Sequence, residues 1–417
     1  MNKELQDNDT NVSIISEHLK NKKIACVVGT GIASMELPKI ARELRRHGAS
    51  VQFFVSERVF HFIGQFSLEW SSENPVISEP SSFSEHIASG FDLVIVCPAT
   101  LNMMTKFNLG ICDTNSLTLL QSALGAKIPI FICPTMHETL SHSPNYKKHL
   151  RGLKEHSCVH IINPLFEENK LKVLPVKTFA REIIHAYNKI ALPGHFVKSK
   201  VFLAFGSSSV SIDPVRCLSN KSTGRSGLFL LKELYLKGFN IKALMGRVSF
   251  DIPYYQDLEL VHREEYDDQL SYIETMDFSD CFAFLNLLAG SDFTVKEKSL
   301  TKIPSNTGEC RLTLKPLKKI FDCSQLNIIP YKHGSKLVSS KLSLGLQSAK
   351  DLMTAYKLDS VFLNSSDDVF EKNVRKGILI KKQKEKLVSL EIQDLTQLSL
   401  SLVLNILNKV ELLNEKN

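Results

Sequence analysis

Residues 24–55 read IACVVGTGIASMELPKIARELRRHGASVQFFV, and their pattern decides how the amino-terminal half folds. Residues 24–28 are continuously apolar, as in a strand buried on both faces. Gly29-Thr30-Gly31 interrupts the run, and Leu37, Ile40, Ala41 and Leu44 then recur at i, i+3, i+4 and i+7, one stripe of a helix that closes at Gly48. Residues 51–55 form a second strand-like run. Strand, tight turn, helix and strand make a βαβ unit, which predicts a parallel sheet covered by helices.

The alternation continues along the chain. Further strands end at Val96, Ile132 and Ile162, each with a proline one or two residues later, Pro98, Pro134 and Pro164. Proline cannot donate to a ladder, so it turns the chain at the sheet's carboxyl edge, where open α/β folds bind ligands. Upstream lies a polar leader, residues 1–21, in which residues 13–20 are expected to form a short helix. A helix over residues 177–189 leads into Ala191-Leu192-Pro193-Gly194-His195, a stretch that predicts a domain boundary. The expected domains are residues 22–190 and 195–417. The pattern restarts beyond the boundary, with a strand at 201–205, a long Gly/Ser/Asn-rich connection at 206–223, a helix at 226–236 and a strand at 241–245. Two βαβ openings predict two doubly wound α/β domains. Later strands are expected at 282–288, 326–329 and 360–363, with a closing helix at 393–409.

Composition narrows the class. The chain has 417 residues, 43% hydrophobic, with a net charge of +7, which excludes disordered and collagenous chains. No apolar run approaches the roughly 18–20 residues that span a bilayer, and the opening MNKELQDNDTN lacks a signal-peptide core, which reads as a cytoplasmic protein with no membrane partner. Nine cysteines without CxxC or Cys/His spacing argue against a structural metal. The densest basic cluster, Lys381-Lys382-Gln383-Lys384-Glu385-Lys386, reads as a solvated turn between strands, so no nucleic-acid partner is expected.

Small residues between a strand and a helix let backbone N–H groups approach a phosphate that the helix dipole favours. Gly29-Thr30-Gly31-Ile32-Ala33 has that character, although a GxG alone is equally a plain β–α turn. Pro98-Ala99-Thr100-Leu101-Asn102 adds a hydroxyl and an amide after another strand, followed by Lys106, Gly110 and Asp113. Together with His86 ahead of FDLVIVCPATLN and CPTM after the next strand, this ordered set resembles the flavin-binding cysteine decarboxylase family over residues 22–165. The resemblance implies a flavodoxin-like fold that holds FMN through Gly29, Thr30, Gly31, Ser56, Thr100 and Asn102, with His86 as the catalytic base. Two departures stand out. The family's P-x-M-N-x-x-M-W string reads Pro134-Thr135-Met136-His137-Glu138-Thr139-Leu140-Ser141, and the flap that carries a proton-donating cysteine in the family reads Glu167-Glu168-Asn169-Lys170-Leu171-Lys172. Loss of CO2 leaves a carbanion that must take up a proton. Water or His137 is the expected donor.

The second domain opens with AFGSSSVSIDPVRCLSNKSTGRSG, residues 204–227. Hydroxyls and small residues before a helix make a triphosphate cradle, with Arg216 and Lys221 for charge. No GxxxxGK[ST] occurs, so it is not a Walker loop. The string resembles the phosphopantothenate–cysteine ligase signature, I-D-P-V-R-x-x-x-N-x-S-x-G. Later family pieces follow in order: a strand end closing on Asp292, Lys302-Ile303-Pro304 where the family has K-x-K, residues 311–315, and residues 357–364. The resemblance, over residues 198–410, implies a Rossmann-like ligase domain. In it Arg216, Asn220, Lys221 and Ser222 bind nucleotide and substrate, Asn220 holds an acyl-cytidylate, Lys302 offsets charge on departing pyrophosphate, and Asp292 contacts nucleotide or Mg2+. Both parts in this order resemble the bifunctional coenzyme A biosynthesis family, which implies 4′-phosphopantothenate, cysteine and CTP as substrates and a homo-oligomer. Two other readings stay open: a ligase whose first domain only binds flavin or assembles, and a flavin-binding regulatory partner without turnover.

Overall fold

The computed structural model describes residues 9–79, 88–305, 308–339, 341–371, 375–383 and 386–414. The chain divides into two compact units, Met1–Ala191 with Tyr254–Gln256, and Leu192–Pro253 with Asp257–Asn417.

In the first unit β1 (Lys23–Val27), β2 (Ser50–Phe54), β3 (Leu93–Ala99), β4 (Ile130–Pro134) and β5 (Val159–Ile161) form a parallel sheet in the order β2-β1-β3-β4-β5. This is the flavodoxin-like order, and its direction reverses between β1 and β3. α1 (Leu37–Arg46) buries Leu37, Ile40, Ala41 and Leu44, the stripe predicted from spacing, and ends before Gly48, whose φ of 93° suits glycine. α2 (Leu101–Asn108) and α3 (Asn115–Gly125) start at side-chain caps: Thr100 accepts from the Met103 N–H and Thr114 from the Leu117 N–H, both at 3.3 Å. α4 (Pro144–Lys154) and α5 (Val176–Ala191) complete the layers. Ala25, Val27, Val94, Val96, Ile130 and Ile132 pack against Leu119 and Leu120 as core. Cys26, Cys97 and Cys133 are buried within β1, β3 and β4. Burial pushes the Cys26 thiol up to about 12, and a hydrogen bond with Cys133, reinforced by burial, raises Cys97 well above the ordinary thiol range.

The helix expected over residues 13–20 is absent. That segment forms only a single turn, closed by the Lys20 N–H on the Glu17 carbonyl at 3.1 Å, because other N–H groups are spent elsewhere, Ile15 on the Arg46 carbonyl and Leu19 on the His47 carbonyl, both at 2.8 Å. Leu19, fully buried, pins the leader to the end of α1.

The main sheet of the second unit has eight strands, β6 (Lys200–Ser207), β7 (Asn240–Met245), β8 (Leu258–His262), β9 (Cys281–Ala289), β10 (Tyr331–Val338), β11 (Ser360–Ser365), β12 (Gly377–Gln383) and β13 (Lys386–Ile392), in the order β8-β7-β6-β9-β10-β11-β12-β13. The first six are parallel, and the last two add an antiparallel hairpin. Renumbered from β6, the parallel part reads 3-2-1-4-5-6, the Rossmann order, with its reversal between β6 and β9. α6 (Arg225–Leu236), α7 (Tyr266–Thr275), α8 (Leu342–Tyr356) and α9 (Leu395–Asn414) accompany the sheet.

The connection over residues 206–223 contains a short ladder, in which Ser209–Ser211 pairs antiparallel with Cys217–Ser219. One expectation needs correction here: residues 326–329 are not a strand. A 3-10 turn, Ser324–Ile328, buries Leu326 and Ile329 at i and i+3 and leaves Ile328 62% exposed, a helical rather than alternating pattern. The basic cluster brackets the β12–β13 hairpin, whose residues 384 and 385 lie outside the described residues. Among the described residues no helix is long and apolar enough to cross a membrane.

Candidate active sites

At the β1/β3 reversal the loops after β1, β2 and β3 converge on a cleft of about 990 Å³. Thr30, Gly31, Ser56, Thr100, Asn102 and His137 line it. Gly29 lies beneath, and a side chain there would collide with the Pro98 carbonyl oxygen, so only glycine lets the first turn close on the end of β3. The Thr30 and Ser56 hydroxyls approach to 3.4 Å, presenting two donors from separate loops at one point. Lys106 is paired with Asp113, which lies beyond the end of α2 at Asn108 and not on the helix that the spacing of Lys106, Gly110 and Asp113 suggested. Arg58 and Ser116 also line the cleft, and the sequence reading missed both. The Ser116 hydroxyl is buried without a hydrogen-bond partner among the described residues, as are both amide atoms of the adjacent Asn115. Buried polar atoms are ordinarily paired, so unpaired ones beside a cleft fit a ligand that carries its own donors and acceptors. A flavin ring does. The polar run Asp113-Thr114-Asn115-Ser116 before an apolar helix was the signal available.

The segment after Pro164 is a hairpin, Leu165–Glu167 against Lys170–Lys172, turned by Glu168 and Asn169 at φ of 51° and 57°. Met136–His137 adds a third strand through Met136↔Leu171 and His137↔Lys170. The hairpin lines the cleft and fixes His137 at its rim. His137 Nδ1 accepts the Thr139 backbone N–H at 3.3 Å and lies 3.0 Å from Thr139 Oγ1. A backbone N–H only donates, so the neutral ring carries its proton on Nε2. His86, expected as the base, lies outside the described residues.

At the β6/β9 reversal of the second unit the signature loop is held largely by its own bonds. Ser208 Oγ donates to Gln269 Oε1 at 2.6 Å, Ser219 Oγ to the Ser208 carbonyl at 2.9 Å, and Ser211 Oγ to Glu265 Oε1 at 2.7 Å. Asn220 Nδ2 donates to the carbonyls of Ala289 and Gly290, both at 2.9 Å, which ties the bend to the end of β9 and leaves its amide oxygen as the group on offer. Gly224, at φ of 76°, precedes α6, where no side chain caps the first N–H groups. Gly227 lets α6 close on Phe205 of β6, since a side chain there would strike the ring. Lys221 is exposed, and the Ser222 hydroxyl accepts the Gly224 N–H at 3.4 Å. Lys302 is exposed and makes no ion pair among the described residues. Arg216 is engaged by Asp213 at 2.8 Å, and Asp292 by Lys319, a partner the sequence reading missed. Among the described residues no group of three His, Cys, Asp or Glu side chains is placed to hold a metal ion. The arrangement offers cations, backbone N–H groups and hydroxyls, a donor set for phosphates.

A flavoprotein domain followed by a pantothenate-metabolism domain is the class these folds and sites define. The family described as Flavoprotein matches residues 12–186, and the DNA/pantothenate metabolism flavoprotein C-terminal domain matches residues 196–409. The chain is 33% identical over 347 residues to the coenzyme A biosynthesis bifunctional protein CoaBC of Thermococcus kodakarensis, covering 82% of each. It is 31% identical over 363 residues to the protein of the same name from Methanocaldococcus jannaschii, covering 84% of this chain and 85% of that one. Among solved structures, the DNA/pantothenate metabolism flavoprotein from Streptococcus pneumoniae is similar at 19% identity with a TM-score of 0.44, over 50% of this chain and 98% of that one. The chain belongs to the bifunctional coenzyme A biosynthesis family, enzymes that join a decarboxylase to a ligase.

Proposed function

We propose that the second domain ligates cysteine to 4′-phosphopantothenate at the expense of CTP, and that the first decarboxylates the 4′-phosphopantothenoylcysteine on FMN to 4′-phosphopantetheine. The observation that supports this reading is that Thr30, Ser56, Thr100 and Asn102 line one cleft at the β1/β3 reversal, while Asn220 is tied to the end of β9 at the β6/β9 reversal.

A carboxylate is a poor electrophile, so the ligase first transfers it to the α-phosphorus of CTP, releasing pyrophosphate; the cysteine amine then attacks the acyl-cytidylate and CMP leaves. Lys302, Lys221 and the uncapped start of α6 offset phosphate charge. Asn220, its amide N–H groups spent on carbonyls, contributes an acceptor for the cysteine amine during the second step. Asp292 already carries an ion pair, so its surroundings do not fit a resident Mg2+ ion. The metal belongs to the nucleotide as its phosphate complex.

In the first domain Gly29, Thr30, Gly31, Ser56, Thr100 and Asn102 would hold FMN, and the unpaired Ser116 hydroxyl fits its polar edge. Bound there, FMN supplies a two-electron acceptor that also returns the electrons. His86 takes the base's role, and His137 Nε2–H is the proton donor assigned to the cleft in place of the thiol that the hairpin lacks.

That missing thiol favours a second reading, a ligase with a decarboxylase-silent first domain. Incubation with phosphopantothenate, cysteine and CTP separates them. CMP together with CO2 supports both steps, CMP without CO2 leaves the ligase alone, and neither product leaves a regulatory flavin binder. Nine unbridged cysteines suit a reducing compartment such as the cytoplasm. Assembly as a homo-oligomer is proposed by analogy and is read by sedimentation.

A further inference from the structure

Asp213 is 3% exposed, and its carboxylate accepts four hydrogen bonds. Oδ1 takes the N–H groups of Val215 and Arg216, both at 2.8 Å, closing a turn within its own loop. Oδ2 takes the Arg216 guanidinium at 2.8 Å and the N–H of Ile303 at 3.1 Å. The same guanidinium reaches the Ile303 carbonyl at 3.0 Å, so both backbone polar groups of Ile303 are held from one side. A second strap lies four residues upstream, where the Ser299 N–H donates to the Ile212 carbonyl at 2.9 Å. Between the straps Ser299 Oγ donates to the Thr301 carbonyl at 2.6 Å, folding the segment into a tight bend. Lys302 stands inside this bend, exposed and without an ion pair among the described residues.

We propose that Asp213 is a positioning residue for the ligase: with Arg216 it clasps residues 299–303 to the bend that carries Asn220 and so sets where the Lys302 ammonium meets the nucleotide's phosphates. A free lysine on an untethered loop sweeps a wide volume, and holding its backbone removes that search before the substrate arrives. The chemistry of the clasp suits a permanent bond. Burial works to raise the Asp213 pKa, but three backbone N–H groups and the Arg216 charge outweigh it and hold the carboxyl below its usual range, so it stays ionised near neutrality. Arg216 is thereby fixed as a tether, and its exposed part remains beside the bend.

The clasp stands on geometry, whereas its catalytic consequence rests on the ligase reading, and the test separates the two. In the full-length protein Asp213→Asn keeps the shape but sets an NH2 group where donors already point. Trypsin should cut the Lys302–Ile303 bond about tenfold faster in this variant, and CMP formation should fall about tenfold while the KM for cysteine stays within about twofold. In a Lys302→Ala background the same change should cost less than about threefold, because a residue acting through Lys302 has nothing left to position. Equal losses in both backgrounds overturn the positioning role, and unchanged cleavage overturns the clasp. Should Asp213→Asn fail to fold, amide exchange in the unaltered protein decides: the Ile303 N–H is expected to exchange at least about tenfold more slowly than that of Lys302, and equal rates overturn the clasp. Failure of the ligase reading has a different mark, absence of CMP from the unaltered protein with cleavage and exchange as expected.

Discussion

At the β1/β3 reversal the first unit leaves the Ser116 hydroxyl buried and unpaired among the described residues, whereas at the β6/β9 reversal the second unit spends the hydroxyls of Ser208, Ser211 and Ser219 on its own Gln269, Glu265 and backbone. The two sites occupy the same kind of topological position. One is a hollow with open polar positions, suited to a flat group that stays. The other is a tied loop presenting free cations, suited to charged substrates that come and go. If the proposed ligands bind at these two reversals, position in a doubly wound sheet selects where a ligand binds, while the bonding state of the lining decides what kind fits.

The sharpest way to break the comparison is Gly29→Val. The added side chain meets the Pro98 carbonyl, so the purified protein should lose its flavin and its yellow colour while CMP formation is unchanged. Retained colour would mean that the first turn does not shape the hollow. Asn220→Ala is the mirror experiment: cutting the bonds to Ala289 and Gly290 should lower ligation about a hundredfold and leave the visible spectrum alone.

Acid should separate the two units less steeply. His333, fully buried in β10 with Nδ1 against Ser360 Oγ at 2.8 Å, has its pKa pushed by burial from 6.5 down to about 3. Between those values the unfolded chain takes up a proton that the folded one refuses. Stability is then lost as pH falls from about 6.5 toward about 3, at up to about 1.4 kcal/mol per pH unit. Denaturant titrations across that range should show the slope, and His333→Gln should flatten it without altering the flavin spectrum. The smallest effect is expected at Ser116→Ala. Removing an unpaired buried hydroxyl should stabilise the flavin-free protein by about 1 kcal/mol yet weaken flavin binding about fivefold. A variant that binds flavin more tightly would show that the hydroxyl faces no polar edge of the ring.

What the sequence made legible follows from which residues carry a period. α1 was readable because Leu37, Ile40, Ala41 and Leu44 must share a buried face, and β1 because both its faces are covered. Its neighbours in the sheet were not readable, since strand order is a long-range property. Leu258–His262 escaped notice because this strand at the sheet's edge is mostly exposed and shows no clean alternation. The hairpin after Pro164 hid behind charged residues whose turn depends on two left-handed backbones rather than on glycine. In the sites, Thr30, Ser56, Thr100 and Asn102 were found through motif order and do meet at one cleft. Ser116 was not, because what marks it is an empty bonding position, and no pattern of letters records that. Asp213 stood in plain view within I-D-P-V-R, but its reach to Ile303 spans ninety residues of chain.

Cys26 and Cys97, sealed within β1 and β3 and held protonated, bear on the company this enzyme keeps. Its proposed substrates, cysteine and a cysteinyl conjugate, carry thiols whose oxidised, disulfide forms are attacked by any accessible thiolate, which leaves a mixed disulfide on the protein and releases one thiol. By keeping these two sulfurs buried and protonated, the first unit withholds its central sheet from that exchange.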